Sequence, residues 1–248
     1  MVICAGVANC AVILQATFFI AATIAARLGT AALAAHAVVS QLWVLASYIV
    51  DGFAVAGTVL GSRLVALRHQ AGGSAGGSAV QVRHWPRCPA ICCHQVHESV
   101  HDALCYVQSL QTLTRRLILL AVSLGCVHML LFAAFGVQLI GLFTRDTETI
   151  RILRGPLWLV LTAAQPVNSA VYVLDGLLYA TQSFPFVAAM MASGFAGVFV
   201  PVLAWSQVEF QAVWGIWLAK AALNVWRLGL ASGWLHIKFL RTPAHHPV

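Results

Sequence analysis

The sequence predicts an all-α, polytopic membrane protein with six transmembrane helices. Three observations carry this. Only 8% of the 248 residues are charged and 60% are hydrophobic, whereas soluble domains average about 25% charged. The apolar residues fall in long runs, and a helix crosses a bilayer with about 20 of them. The basic residues concentrate between the runs on one side.

The runs follow in order. Val2–Ala26 carries no charge, and the first span is 2–27. Ala31–Ser62 carries only Asp51, within a second span of 32–66. Leu117–Thr144 has no charge and gives a third span, 116–143. Gly155–Val208 has only Asp175, and the break "TQSFPF" at Thr181–Phe186 divides it into spans 155–181 and 185–207. The sixth span, 211–237, holds Lys220 and Arg227. Helices apolar all round belong in lipid, which excludes a soluble bundle. The chain thus divides into spans one and two (1–68), a dissimilar linker (69–112), spans three to six (113–240) and a short polar tail (241–248).

The net charge of +7 is a topology signal. An even number of spans places both termini on one side, together with the loop between spans two and three. That side holds Arg63, Arg68, Arg83, Arg87, Arg115, Arg116, Lys238 and Arg241. The other holds Arg27, Arg145, Arg151 and Arg154, with Asp146 and Glu148 offsetting the last three. Lys and Arg accumulate in cytoplasmic loops, so both termini are expected there, or on the stromal or matrix side of an organelle. No nucleic-acid motif accompanies the charge. Met1 leads abruptly into the first span without a basic leader, and no signal peptide is expected.

The linker opens with "AGGSAGGSA" (71–79), a flexible composition. It continues with Cys88, Cys92, His97 and His101 in a C-x3-C-x4-H-x3-H pattern. Zinc takes four such ligands, but the gap between the pairs is shorter than the roughly 12–15 residues of a finger. Cys93, His94 and Cys105 blur any unique set, so the metal candidates are weak. A metal-responsive regulator is the reading they would support. No nucleophile–base pair stands within the spans, so enzymatic activity is not expected, and no cofactor is implied.

At about 100° per residue, Ser40, Ser47, Asp51 and Thr58 fall within about 60° of His36 on the second span. Gln165, Asn168, Ser169, Tyr172, Asp175 and Tyr179 fall within about 120° on the fourth. Pro166 among them frees a backbone carbonyl. A charged Asp at the bilayer centre costs about 2.5–3.5 kcal/mol even on the mildest scale and usually faces a bundle interior or watery cavity. Such a carboxylate can exchange a proton for Na⁺ or for a cationic solute. The alternatives for Asp51 are a structural hydrogen bond between helices or a pair with Lys220. For Asp175 the alternative is simple wetting near the interface. Arg227 is expected to snorkel. Lys220 lies deeper, as a counter-ion to a carboxylate or a solvated outlier.

"ARLGTAALAAHAVVSQLWVLASYIVDGFAVAGTVLGSRLVA" (26–66) resembles the seventh and eighth helices of the multidrug and toxic compound extrusion (MATE) transporters, through "RLG", "LAAH" and "DGFA". The DinF-like branch, with plant citrate and chloroplast members, is the most similar. "YVLDGLLYATQSFPFV" (172–187) resembles the tenth helix and "GIWLAKAALNVWRLG" (215–229) the twelfth. The resemblance implies the C-terminal lobe of a secondary antiporter exchanging H⁺ or Na⁺ for organic solutes, with Asp51 and Asp175 at acidic positions of that lobe. Lys220 departs from the family pattern. A missing N-terminal lobe or a second copy would complete the cavity. Residues 69–112 replace a short family loop and suggest an insert or a gene-model artefact. A non-transporting subunit is the alternative. The plasma membrane and an organelle membrane, plastid envelope or vacuole, both remain open.

Overall fold

The computed structural model describes the backbone of residues 2–73 and 98–240, and the side chains of residues 12–66 and 108–237. The described residues form six helical rods: α1 (Val2–Arg27), α2 (Thr30–Gly73), α3 (Glu98–Phe143), α4 (Thr147–Ala180), α5 (Phe184–Glu209) and α6 (Val213–Leu240). Four of them, at Thr30–Ala66, Gln108–Phe143, Thr147–Ala180 and Phe184–Glu209, are long and apolar enough to cross a membrane. In α1 the described side chains cover only Val12–Arg27, a shorter apolar helix. In α6 Lys220 and Arg227 interrupt the apolar run.

The helices begin and end for local reasons. Gly29 adopts φ +116° between α1 and α2, a left-handed turn that an L side chain rarely enters. Asp146 caps α4: its Oδ2 accepts from the Thr149 backbone N at 2.8 Å and from Thr149 Oγ1 at 2.6 Å. The Thr149 bonds hold the Asp146 carboxyl below the ordinary carboxylate range. Pro156 follows a non-helical Gly155 in a π-helical turn at Leu153–Leu157. A second break lies at Ala164, ahead of Pro166. There the Leu161 carbonyl accepts from the Gln165 side-chain amide at 3.0 Å.

The linker is partly helical, a correction to the loop expected over 69–112. α2 continues to Gly73 and α3 starts at Glu98. The stretch "ESVHDALCYVQSLQTLT" contains no Gly or Pro, so nothing stops α3 from extending upstream of its apolar run. Residues 74–97, including Cys88, Cys92 and His97, lie outside the described residues, as does the side chain of His101.

α4 is the central element. It packs on α2, α3 and α6, while α1 lies mainly against α5, which also packs on α6. Three apolar clusters hold the bundle: Leu42, Trp43, Phe132, Leu157 and Trp217 at one level; Leu117, Leu174, Leu177 and Met190 at another; Ala21, Phe199 and Leu223 on the α1–α5–α6 side. α2 and α4 approach closely at Gly176, where an added Cβ would collide with the Ala54 carbonyl. Thr58 Oγ1 seals this contact, 3.0 Å from both the Ala54 and Gly176 carbonyl oxygens. The opposite faces of α2 and α3 are apolar and exposed, with Leu45, Ile49, Leu130 and Leu142 turned outward, as a helix facing lipid requires.

Candidate functional site

A polar network crosses the bundle from α2 through α4 to α6. Asn168 Nδ2 donates to Ser47 Oγ at 3.3 Å. Asn224 Nδ2 donates to Asn168 Oδ1 at 3.2 Å. Arg227 NH1 donates to Asn224 Oδ1 at 3.0 Å, and its NH2 pairs with Asp175 Oδ2. Ser47, Asn168, Asn224 and Arg227 are all buried. In a low-dielectric interior such groups are costly unless they satisfy one another.

Arg227 therefore does not snorkel. It is 6% exposed and ion-paired to Asp175, one α4–α6 contact away rather than one helix end away. The reason is on α4: a buried carboxylate needs a counter-charge more than a guanidinium needs the interface. Asp175 is likewise not simply wet, since its side chain is 19% exposed and paired. Asp175 Oδ1 has no partner, nor do Gln165 Oε1 and Ser169 Oγ farther along α4. Tyr172 and Tyr179 are half-buried, and Tyr179 stacks obliquely on Phe184 with ring centroids 6.0 Å apart.

Lys220 occupies a second site. Its Nζ lies 3.5 Å from the Phe18 ring centroid, 4.2 Å from Trp217 and 5.5 Å from Trp43. It has no hydrogen-bond partner and is 6% exposed. Neither expectation for it holds: it meets no carboxylate and is not solvated. Aromatic faces from α1, α2 and α6 supply the negative potential instead. Alongside, Trp217 Nε1 donates to His36 Nδ1 at 3.2 Å, and Ser40 Oγ lies 3.4 Å from Nε2. An indole only donates, so the imidazole proton sits on Nε2, toward Ser40.

Asp51 stands apart from both sites. It is exposed near the middle of Thr30–Ala66, beside exposed Tyr48, Gly52 and Val55. It makes no hydrogen bond or ion pair among the described residues. Four of the five stripe residues on α2 thus turn inward or lie half-buried, and the carboxylate turns out. The sequence led Arg227 to be expected at the interface and singled out Asn224 for no role. The signal available was an unpaired Asp175 and an Arg too deep to be incidental. Among the described residues no group of three or more His, Cys, Asp or Glu could hold a metal.

The chain is 27% identical over 186 residues to Protein DETOXIFICATION 45, chloroplastic, of Arabidopsis thaliana, covering 74% of this chain and 26% of that protein. It is 26% identical over 228 residues to Protein DETOXIFICATION 44, chloroplastic, covering 90% and 36%. Protein DETOXIFICATION 42 matches at 24% over 222 residues, covering 86% and 35%. The chain is a distant homologue of these plant MATE-family proteins over most of its length. It spans about a quarter to a third of the length of the curated relatives it matches. No family model matches, and neither does any solved structure.

Proposed function

We propose that the chain acts as the C-terminal six-helix lobe of a MATE-type antiporter of the DinF-like branch, exporting organic solutes in exchange for H⁺ or Na⁺. The observation that carries this is Asp51: an unpaired carboxylate, exposed at mid-depth on α2. Facing lipid it would cost about 2.5–3.5 kcal/mol or more, so the face it shares with Tyr48 and Val55 suits an aqueous path or a second lobe. A missing N-terminal lobe or a second copy would close that path. Asp175 is already neutralised by Arg227, which favours Asp51 as the group that takes up the coupling ion. Distant homology to two proteins named chloroplastic favours a plastid envelope over the plasma membrane.

The test is flux in proteoliposomes under an imposed pH or Na⁺ gradient, with ethidium as a cationic and benzoate as an anionic solute. Gradient-driven flux that Asp51→Asn abolishes, with unchanged expression and elution, supports the reading. Unchanged flux in that variant removes Asp51 as the coupling group. No flux of either solute under either gradient favours the non-transporting subunit.

A further inference from the structure

A groove of about 390 Å³ opens between α3 and α6, with Leu174 of α4 on its floor. Its volume is in the usual range of small-ligand sites, roughly 300–1,000 Å³. The wall is divided by chemistry. Ile118, Leu119, Leu174 and Leu235 are apolar, while Gln111, Thr114, Arg115, Ser232 and His236 are polar. Among the residues lining it none is acidic. Thr114 Oγ1 is buried without a hydrogen-bond partner, and Arg115 makes no ion pair among the described residues.

The position fixes what can lie there. Arg115 and Arg116 end the charge-free run Leu117–Thr144, so the guanidinium stands where the hydrocarbon layer gives way to headgroups. Leu119 and Leu174 lie on the apolar side of that boundary. An occupant must be anionic at one end and aliphatic at the other. A free phosphate would leave the exposed Leu119 uncovered, and a neutral lipid would leave Arg115 uncompensated. Basic pockets between transmembrane helices hold anionic lipid headgroups for this reason.

We propose that the α3–α6 groove binds one anionic phospholipid, its phosphate on Arg115 and Thr114 and an acyl chain along Leu119, Leu174 and Leu235. The lipid would tie α3 to α6, each of which otherwise meets the other mainly through α4. This site is separate from Asp51 and from the Asp175–Arg227 pair, and does not depend on the transport reading.

The test is native mass spectrometry of the purified full chain with dioleoyl phosphatidylglycerol or dioleoyl phosphatidylcholine. The expected result is one retained phosphatidylglycerol per chain, no comparable retention of phosphatidylcholine, and no displacement by inorganic phosphate. Arg115→Gln is expected to weaken retention at least tenfold, the loss of one hydrogen bond between charged groups, ~1.5–3 kcal/mol. Arg116→Gln, with the same charge change outside the groove, is expected to leave it unchanged. Equal losses in the two variants would mean general surface attraction and overturn the site. So would equal retention of the two lipids, or displacement by phosphate.

Discussion

Arg227 on α6 and Asp175 on α4 form a buried ion pair, and the guanidinium extends it through Asn224 and Asn168 to Ser47 on α2. One arginine thus ties three rods of the bundle together. Its Nε and Asp175 Oδ1 are unpartnered, so the pair is close but not saturated.

Removing one member leaves an uncompensated buried charge, which typically costs about 3–5 kcal/mol. Asp175→Asn and Arg227→Gln are each expected to lower the detergent-solubilised Tm sharply. The double variant Asp175→Asn/Arg227→Gln removes both charges and is expected to be closer to the parent than either single change. Thermal unfolding of the four proteins gives the coupling. Additive losses would mean that the pair is not a unit.

Six helices were legible in the sequence because run length is a local property: 2–27 and 185–207, for example, reappear as Val2–Arg27 and Phe184–Glu209, and four of the six are long and apolar enough to cross a membrane. The inward stripe on α2 was legible too, since His36, Ser47 and Thr58 all meet α4 or α6. Asp51 left the stripe for a geometric reason. It stands about 60° from His36, at the margin, whereas Val55 and Tyr48 at about 100° and 120° are already on the exposed face. The Arg227 pair was not legible, because it joins positions 52 residues apart. Periodicity places a residue on a face of its helix and says nothing about which helix covers that face.

Gly176 sets the distance between α2 and α4. A Cβ there would strike the Ala54 backbone, which cannot move as a flexible side chain can. Gly176→Ala is expected to destabilise by about 1–3 kcal/mol, the usual range for overpacking, despite alanine's better helix propensity. Gly52, with no heavy atom within 4 Å of its added Cβ, serves as the control, and Gly52→Ala is expected to be neutral or slightly stabilising. Equal effects in a melting assay would refute the close-approach argument.

The cap at Asp146 has a pH signature. Its carboxyl is held below the ordinary range by Thr149, so folding favours the ionised form. The contribution is present above the unfolded carboxylate's range and is lost as the pH falls through the lowered folded value. Hydrogen exchange at the Thr149 and Ile150 amides is expected to become faster in acid relative to mid-helix amides of α4. Asp146→Ala should show that faster exchange already at neutral pH and no further change on acidification. Protection unaffected by the variant would mean the cap contributes nothing to α4.

Lys220 is the least favourable buried group in the bundle by ordinary accounting. Its Nζ is buried without an acceptor, and an isolated ammonium loses several kcal/mol of hydration on burial. Three aromatic rings offset part of this, at about 2 kcal/mol for a desolvated cation over a good face. The same stem length without the charge keeps the packing against Phe18 and Trp217 and removes the penalty. Lys220→Met is therefore expected to raise the Tm, and Lys220→Gln, which still buries an unpartnered amide, to raise it less than Lys220→Met. If Lys220→Met were instead strongly destabilising, the ammonium would have to meet a counter-charge in the folded protein, and the aromatic cage could not be what holds it. A stabilised variant that had lost gradient-driven flux would place Lys220 among groups kept for transport rather than for folding, as intramembrane charges generally are.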